Sequence, residues 1–122
     1  MQTTVIIILS LFVLHWYASL FFQSMFHHRY AAHGMFTMSN FWEKTFHIGS
    51  FVTQGASYLS PYAYGVMHRL HHAFADTEDD PHSPIIDKDL FAMMWRTRRV
   101  YMDIDQEIAV VGEKFKKGVP KW

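Results

Sequence analysis

The chain has 122 residues, half of them apolar and 17% aromatic, and its eleven basic and eleven acidic residues cancel to zero formal charge. That length admits one domain, and the balanced charge, with no RNA- or DNA-binding motif, speaks against nucleic acid as a partner. The absence of cysteine excludes disulfides, thiolate metal sites and iron–sulfur clusters, so a metal ion here must rest on imidazole, carboxylate or solvent.

Residues 1–27 contain no Asp, Glu, Lys or Arg, and 5–22 form their apolar core. With uncharged flanks this run reaches the roughly 20 residues a membrane helix needs. A cleaved signal peptide fits poorly, because the amino end has no basic segment and the apolar stretch is too long. We therefore expect a transmembrane helix over 3–28, its last turns protruding as far as His33. Every Lys and Arg follows the span, which places the carboxyl-terminal part in the cytoplasm. His15 falls near mid-span, where a neutral imidazole bonded to a neighbouring helix is as good a reading as a functional one.

Gly34 offers a stop, and Asn40 followed three residues later by Glu43 has the form of a capping box. The segment 41–64 is aromatic and aliphatic, with Glu43, Lys44, His47 and Gln54 interspersed, and reads as a second crossing or an interfacial helix. A single crossing would leave the histidines before and after it on opposite faces of the membrane. If they cooperate, the segment lies flat or re-enters, and the interfacial helix is preferred.

A short helix then carries His68, His71 and His72 and ends before the acidic turn Asp76-Thr-Glu-Asp-Asp80-Pro81. The stretch 87–101 reads as an amphipathic helix. Leu90, Phe91, Met94 and Trp95 are apolar, and Arg96, Arg98 and Arg99 suit an ordinary surface or a contact with lipid headgroups or an anionic substrate. The remainder, 113–122, is basic.

The two clusters, His28-Arg-Tyr-Ala-Ala-His33 and His68-Arg-Leu-His71-His72, carry the chemistry. Neutral imidazole is a common ligand of iron, copper, zinc and nickel, and five imidazoles exceed what one closed tetrahedral site needs. A lone histidine reads more simply as a packed or solvated side chain; two clusters together favour metal binding. On a helix His68 faces the same way as His71 and His72, while His71 and His72 diverge by about 100°. His28 and His33, five apart, diverge by about 140° on an α-helix. They serve different metals, or the helix end unwinds to bring them together. These spacings suit a dinuclear site better than one tetrahedral ion. His-Glu-x-x-His and Glu-x-x-His motifs are absent, which leaves an all-imidazole set. Asp76, Glu78, Asp79 or Asp80 is placed to accept an imidazole N–H and fix its tautomer, a solvated loop being the alternative for most of them.

His28-Arg-x-x-x-His33, then His68-Arg-x-His71-His72, then Asp76-Thr-x-x-Asp80-Pro81-His82 resembles the membrane fatty acid desaturase family, with the acyl-CoA (delta-9 type) branch nearest, over about residues 16–95. The resemblance implies a di-iron enzyme that uses dioxygen to remove two hydrogens from a saturated acyl chain and leave a cis double bond. Its partners would be an acyl-CoA or other acyl-chain substrate, membrane lipid and a ferredoxin- or cytochrome-type electron donor. The iron-binding role carries over to His28, His33, His68, His71 and His72. It does not carry over to His15, His27 or His47, and His82, though it matches the motif, stays outside the ligand set. The family's third box, His-x-x-His-His, and its further membrane helices are missing, so the chain is expected to be the amino-terminal part of a desaturase.

The expected fold is all-helical and membrane-embedded. It comprises one transmembrane helix, an interfacial or re-entrant helix over 41–64 and a cytoplasmic helical region over 66–122 that holds the second histidine box. Phe46, Phe51 and Tyr58 read individually as core or lipid packing, with the lining of an acyl tunnel the alternative. Two other functions are compatible with these residues: a membrane hydroxylase of the same superfamily, and an inactive metal-binding membrane fragment.

Overall fold

The structure is a computed structural model and describes residues 1–121, so Trp122 at the end of the expected cytoplasmic region lies outside it. Helix α1 covers Gln2–Phe22 and continues without a break as a π-helical segment, Gln23–Ala32. Helix α2 follows at Asn40–Gln54, a 3₁₀ turn at Gly55–Ser57, then α3 at Pro61–Phe74, α4 at Leu90–Asp105 and the short α5 at Glu113–Lys116. No strand occurs among the described residues, and the expectation of an all-helical chain holds.

Helix α1 is apolar on every side and none of its residues is buried. Its 21 residues give about 31 Å of helix, close to the thickness of a bilayer's hydrocarbon core. The continuous helix Gln2–Ala32 is long and apolar enough to cross a membrane. A core helix of a soluble protein meets the same test of length and composition but hides its surface, whereas this one has 0% of its apolar window buried.

Past Phe22 the hydrogen-bond register widens from i→i+4 to i→i+5, ending with the His33 amide donating to the His28 carbonyl at 3.0 Å. Gly34, at φ +59, then turns the chain, with its own amide on Tyr30 O and that of Met35 on Arg29 O. A left-handed residue here is the usual way to close a helix, and glycine adopts it without a Cβ clash.

The expected helix over 41–64 is two elements. Gly55, at φ +52, ends α2, and Ser60 with Pro61 starts α3, the Ser60 hydroxyl accepting from the Ala63 amide at 3.3 Å. Pro at the first helical position leaves no donor unsatisfied. The capping box does not form either. Ser39 occupies the N-cap position without a side-chain bond, and the Glu43 carboxylate accepts from the Tyr30 hydroxyl instead.

Helix α2 packs against both α1 and the π-helical segment. Glu43 meets Tyr30, and Phe46 meets Phe21, Phe22 and Phe26. A Cβ on Gly49 would stand 2.3 Å from the Phe22 ring, and Gln54 donates to Gln23 at 3.1 Å.

Helix α3 then packs on the π-helical segment through small residues. A Cβ on Gly65 would lie 3.2 Å from the Ala31 carbonyl oxygen and 2.9 Å from Val119, and Ala31, Ala32 and Ala63 are buried beside it. Tyr62, Ala63, Val66, Ile104 and Val119 form the core between α3, α4 and the carboxyl-terminal segment. Asp89 caps α4, accepting from the Ala92 amide at 2.8 Å. Tyr101 on α4 accepts from the Ser60 amide at 2.7 Å, tying α4 to the start of α3.

Candidate metal centre

Five of the positions singled out in the sequence lie on two facing elements, the π-helical segment with its cap and α3. On an α-helix His28 and His33 would diverge by about 140°. An i→i+5 turn rotates each residue by roughly 80°, so positions five apart diverge by only about 50°. The wide register therefore puts both rings on one face. Their Nε2 atoms are 3.0 Å apart, and the face looks at α3.

From α3, His68 places its Nε2 3.0 Å from that of His33, and His72, one turn on, places its Nε2 3.0 Å from that of His68. The ligating nitrogens of His28, His33 and His68 all lie within 4.8 Å of one another. Tyr64 stacks on the His68 ring with centroids 5.6 Å apart and an 11° tilt, which holds that ring upright.

Hydrogen bonds alone do not account for this cluster. A ring nitrogen of neutral imidazole either carries one proton or offers one lone pair, never both. In the chain His28–His33–His68–His72 the two middle nitrogens each face two others. One lone pair would have to accept twice and one proton would have to be shared. The lone pairs of His28, His33 and His68 are close enough to converge on a cation, which eases the conflict, with the His72 nitrogen adjoining that of His68. Two imidazole nitrogens bound at right angles to an ion about 2.1 Å away stand about 3.0 Å apart, which matches the spacing found. The residues present fit a transition-metal ion.

The electrostatics agree with neutral, ligating rings. Burial first, then the surrounding imidazoles of His28, His72, His33 and His71, pushes His68 down to about 4. His33 is lowered by burial and by His28, His72 and Arg69.

His71 points away from this group. Its Nδ1 donates to Asp80 Oδ1 at 2.8 Å, which leaves Nε2 with its lone pair. Asp80 is fully buried and also accepts from the amides of Asp76 at 2.9 Å and His82 at 2.8 Å. Its burial alone would raise its pKa, but these three donors outweigh that and hold it below the ordinary carboxylate range. Of the four acids proposed to fix an imidazole tautomer, Asp80 does so. Asp76 accepts from Ser83 instead, at 3.0 Å, and Glu78 and Asp79 are exposed.

Arg69 supplies the brace between the two clusters, a role that its place in the His-Arg motif did not reveal. Its Nε donates to the Ala32 carbonyl at 2.5 Å and its Nη2 to that of Ala31 at 3.3 Å. Nη1 donates to Phe115 and Lys117 carbonyls at 3.2 and 2.8 Å. The guanidinium thus caps the open carbonyls at the end of the π-helical segment.

The other histidines lie apart. His15 is on the exposed surface of α1. His27 is fully buried, bonding the Leu59 carbonyl through Nε2 at 2.7 Å, and so joins the long helix to the loop before α3. His47 contacts the Tyr58 hydroxyl at 3.2 Å. Phe46, Phe51 and Tyr58 pack on neighbouring aromatic side chains and do not line the apolar groove that is present. That groove, about 530 Å³, runs along α4 between Leu59, Met67, Phe91, Met94, Trp95, Arg98 and Tyr101. Its Leu59, Met67 and Thr97 walls are shared with a smaller cavity lined by His68, His71 and His82. Of the three arginines of α4, Arg96 faces inward, bonding Asp87 at 2.9 Å and the Asp80 carbonyl. Arg98 lies over the Trp95 ring, 5.7 Å from its centroid.

Family models, curated proteins and solved structures were each compared with the chain, and none matches it.

Proposed function

We propose that the chain is the two-box portion of a membrane fatty acid desaturase, an oxidoreductase with a histidine-held di-iron centre. The observation that carries this reading is the meeting of His28, His33, His68 and His72, whose Nε2 atoms follow one another at 3.0 Å. Imidazole-only sets with open positions suit redox metals that take up oxygen. When bound, the iron pair supplies the oxidising equivalents from dioxygen that remove two hydrogens from a saturated acyl chain.

In this reading His28, His33, His68 and His72 hold one metal position, and His71, with its tautomer fixed by Asp80, serves the other. Helix α1, apolar on every side and with none of its residues buried, crosses the bilayer, with lipid as the solvent that its surface requires. The histidines then lie at its cytoplasmic end, because the basic residues follow the span. The apolar groove on α4 has the size and lining of a small-ligand site. It suits an alkyl chain passing Met94, Met67 and Leu59 toward the histidines, and Arg98 on its wall suits an anionic head group.

The test is expression in a host lacking its own desaturase, with and without a supplied carboxyl-terminal segment bearing His-x-x-His-His, and gas chromatography of the lipids. A new cis-monounsaturated chain that disappears in His71→Ala supports the proposal. A hydroxylated product would make the chain a hydroxylase, and bound iron without oxygen consumption in either form would make it a metal-binding membrane fragment.

A further inference from the structure

We propose that His82 is a sixth metal ligand, pairing with His71 at the second metal position; the inference rests on the reading of the histidines as a two-metal centre. Two observations fix the state of the His82 ring. Thr97 donates its hydroxyl proton to the Pro81 carbonyl at 3.0 Å, and His82 Nδ1 lies 3.0 Å from the same hydroxyl oxygen. With its one proton committed to a carbonyl, which only accepts, the Thr97 oxygen must accept from His82. His82 is therefore the Nδ1–H tautomer, and its Nε2 keeps a lone pair.

His71 reaches the same state by a different route, through Asp80. One carboxylate positions both residues, since Asp80 Oδ1 also takes the backbone amide of His82 at 2.8 Å. The two rings line one cavity of about 240 Å³, and their centroids are 6.1 Å apart. Two imidazoles on one ion at about 2.1 Å have centroids roughly 5 to 6.5 Å apart, from a tetrahedral to a linear angle. The pair falls within that range. Each ring also has the outer hydrogen-bond partner, carboxylate or hydroxyl, that orients ligating histidines. Two protein ligands make a weaker site than the four-imidazole group, so the second ion binds after the first.

The experiment is a cobalt(II) titration of the whole chain in detergent micelles, followed by visible absorption and by metal analysis after equilibrium dialysis. The wild type is expected to take up a tight and then a weaker equivalent. His82→Ala should lose the weaker equivalent and keep the tight one, and His33→Ala should do the reverse. Thr97→Val should weaken the second equivalent about 10- to 100-fold, the usual effect of removing an outer partner, and Thr97→Ser should restore it. A single equivalent in the wild type, or a second one unchanged in both His82→Ala and Thr97→Val, overturns the inference. Loss of the tight equivalent from the wild type strikes the four-imidazole reading instead.

Discussion

The amide of His33 donates to the carbonyl of His28, and the Nε2 atoms of the same two residues stand 3.0 Å apart. The i→i+5 backbone bond and the side-chain approach are one fact. The wide turn that closes the first makes the second possible, because the α-helical register would turn the rings apart. The adjoining Gly34 holds that turn at φ +59 with nothing within 4 Å of where a Cβ would stand. Gly34→Ala therefore meets a backbone cost of about 1 kcal/mol and no steric one. The expected outcome is a modest fall in thermal midpoint with a larger fall in metal affinity, measured by melting and by metal titration. Equal affinity in both proteins would show that the turn does not set the histidine geometry.

Gly65 is the closest point between α3 and the π-helical segment. Its missing side chain would meet the Ala31 carbonyl, which is backbone and cannot rotate away. Gly65→Val should cost roughly 1–3 kcal/mol by overpacking and lift His68 and His72 from His28 and His33. Metal affinity should fall at least tenfold, while the membrane insertion proposed for α1 should be unchanged on carbonate extraction.

Arg69 donates to four main-chain carbonyls from two segments, 31–32 and 115–117. A lysine has one rotatable ammonium where arginine has a planar fork, so Arg69→Lys should not rescue Arg69→Met. Both are expected to lose about 2 kcal/mol, at the scale of charged hydrogen bonds to a partly buried group, and the amides of 29–35 should exchange faster. Full rescue by lysine would reduce the role of Arg69 to its charge.

The pH dependence follows from His68 and His33, both of which are below the ordinary value of 6.5. Between 6.5 and the His68 value of about 4, the unfolded chain binds more protons at these rings than the folded one. Stability therefore falls as the pH drops through that window and stops falling from this source below it. In melts of the metal-free protein from pH 7 to 4, His68→Asn should lose less of its midpoint than the wild type. An identical slope would show that the His68 ring titrates in the folded protein as it does in the unfolded chain.

The long apolar helix, the second box on a helix of its own and α4 were legible in the sequence because hydropathy and spacing encode them. The charge-free run before Arg29 needs no tertiary information; α4 runs Leu90–Asp105 rather than the expected 87–101, because Asp89 caps its start. What escaped depends on partners distant in the chain. Glu43 has the spacing of a capping box, but the Tyr30 hydroxyl takes its carboxylate. The π register of 23–32 leaves no mark in the pattern of apolar residues, so the direction of His28 relative to His33 stayed open. Phe46, Phe51 and Tyr58 pack against aromatic neighbours, while the apolar groove lies along α4. The tautomer of His82 depends on Thr97, fifteen residues away, and no local motif announces it.

If imidazoles from the two boxes share one ion, iron K-edge X-ray absorption on the iron-loaded chain reads that ligand set directly. The expected spectrum shows at least three imidazole nitrogens at about 2.1 Å, the distance ordinary for metal-bound histidine, with the imidazole multiple scattering reduced in both His28→Ala and His68→Ala. A first shell of oxygen alone, or one that changes with His68→Ala and is untouched by His28→Ala, would contradict it.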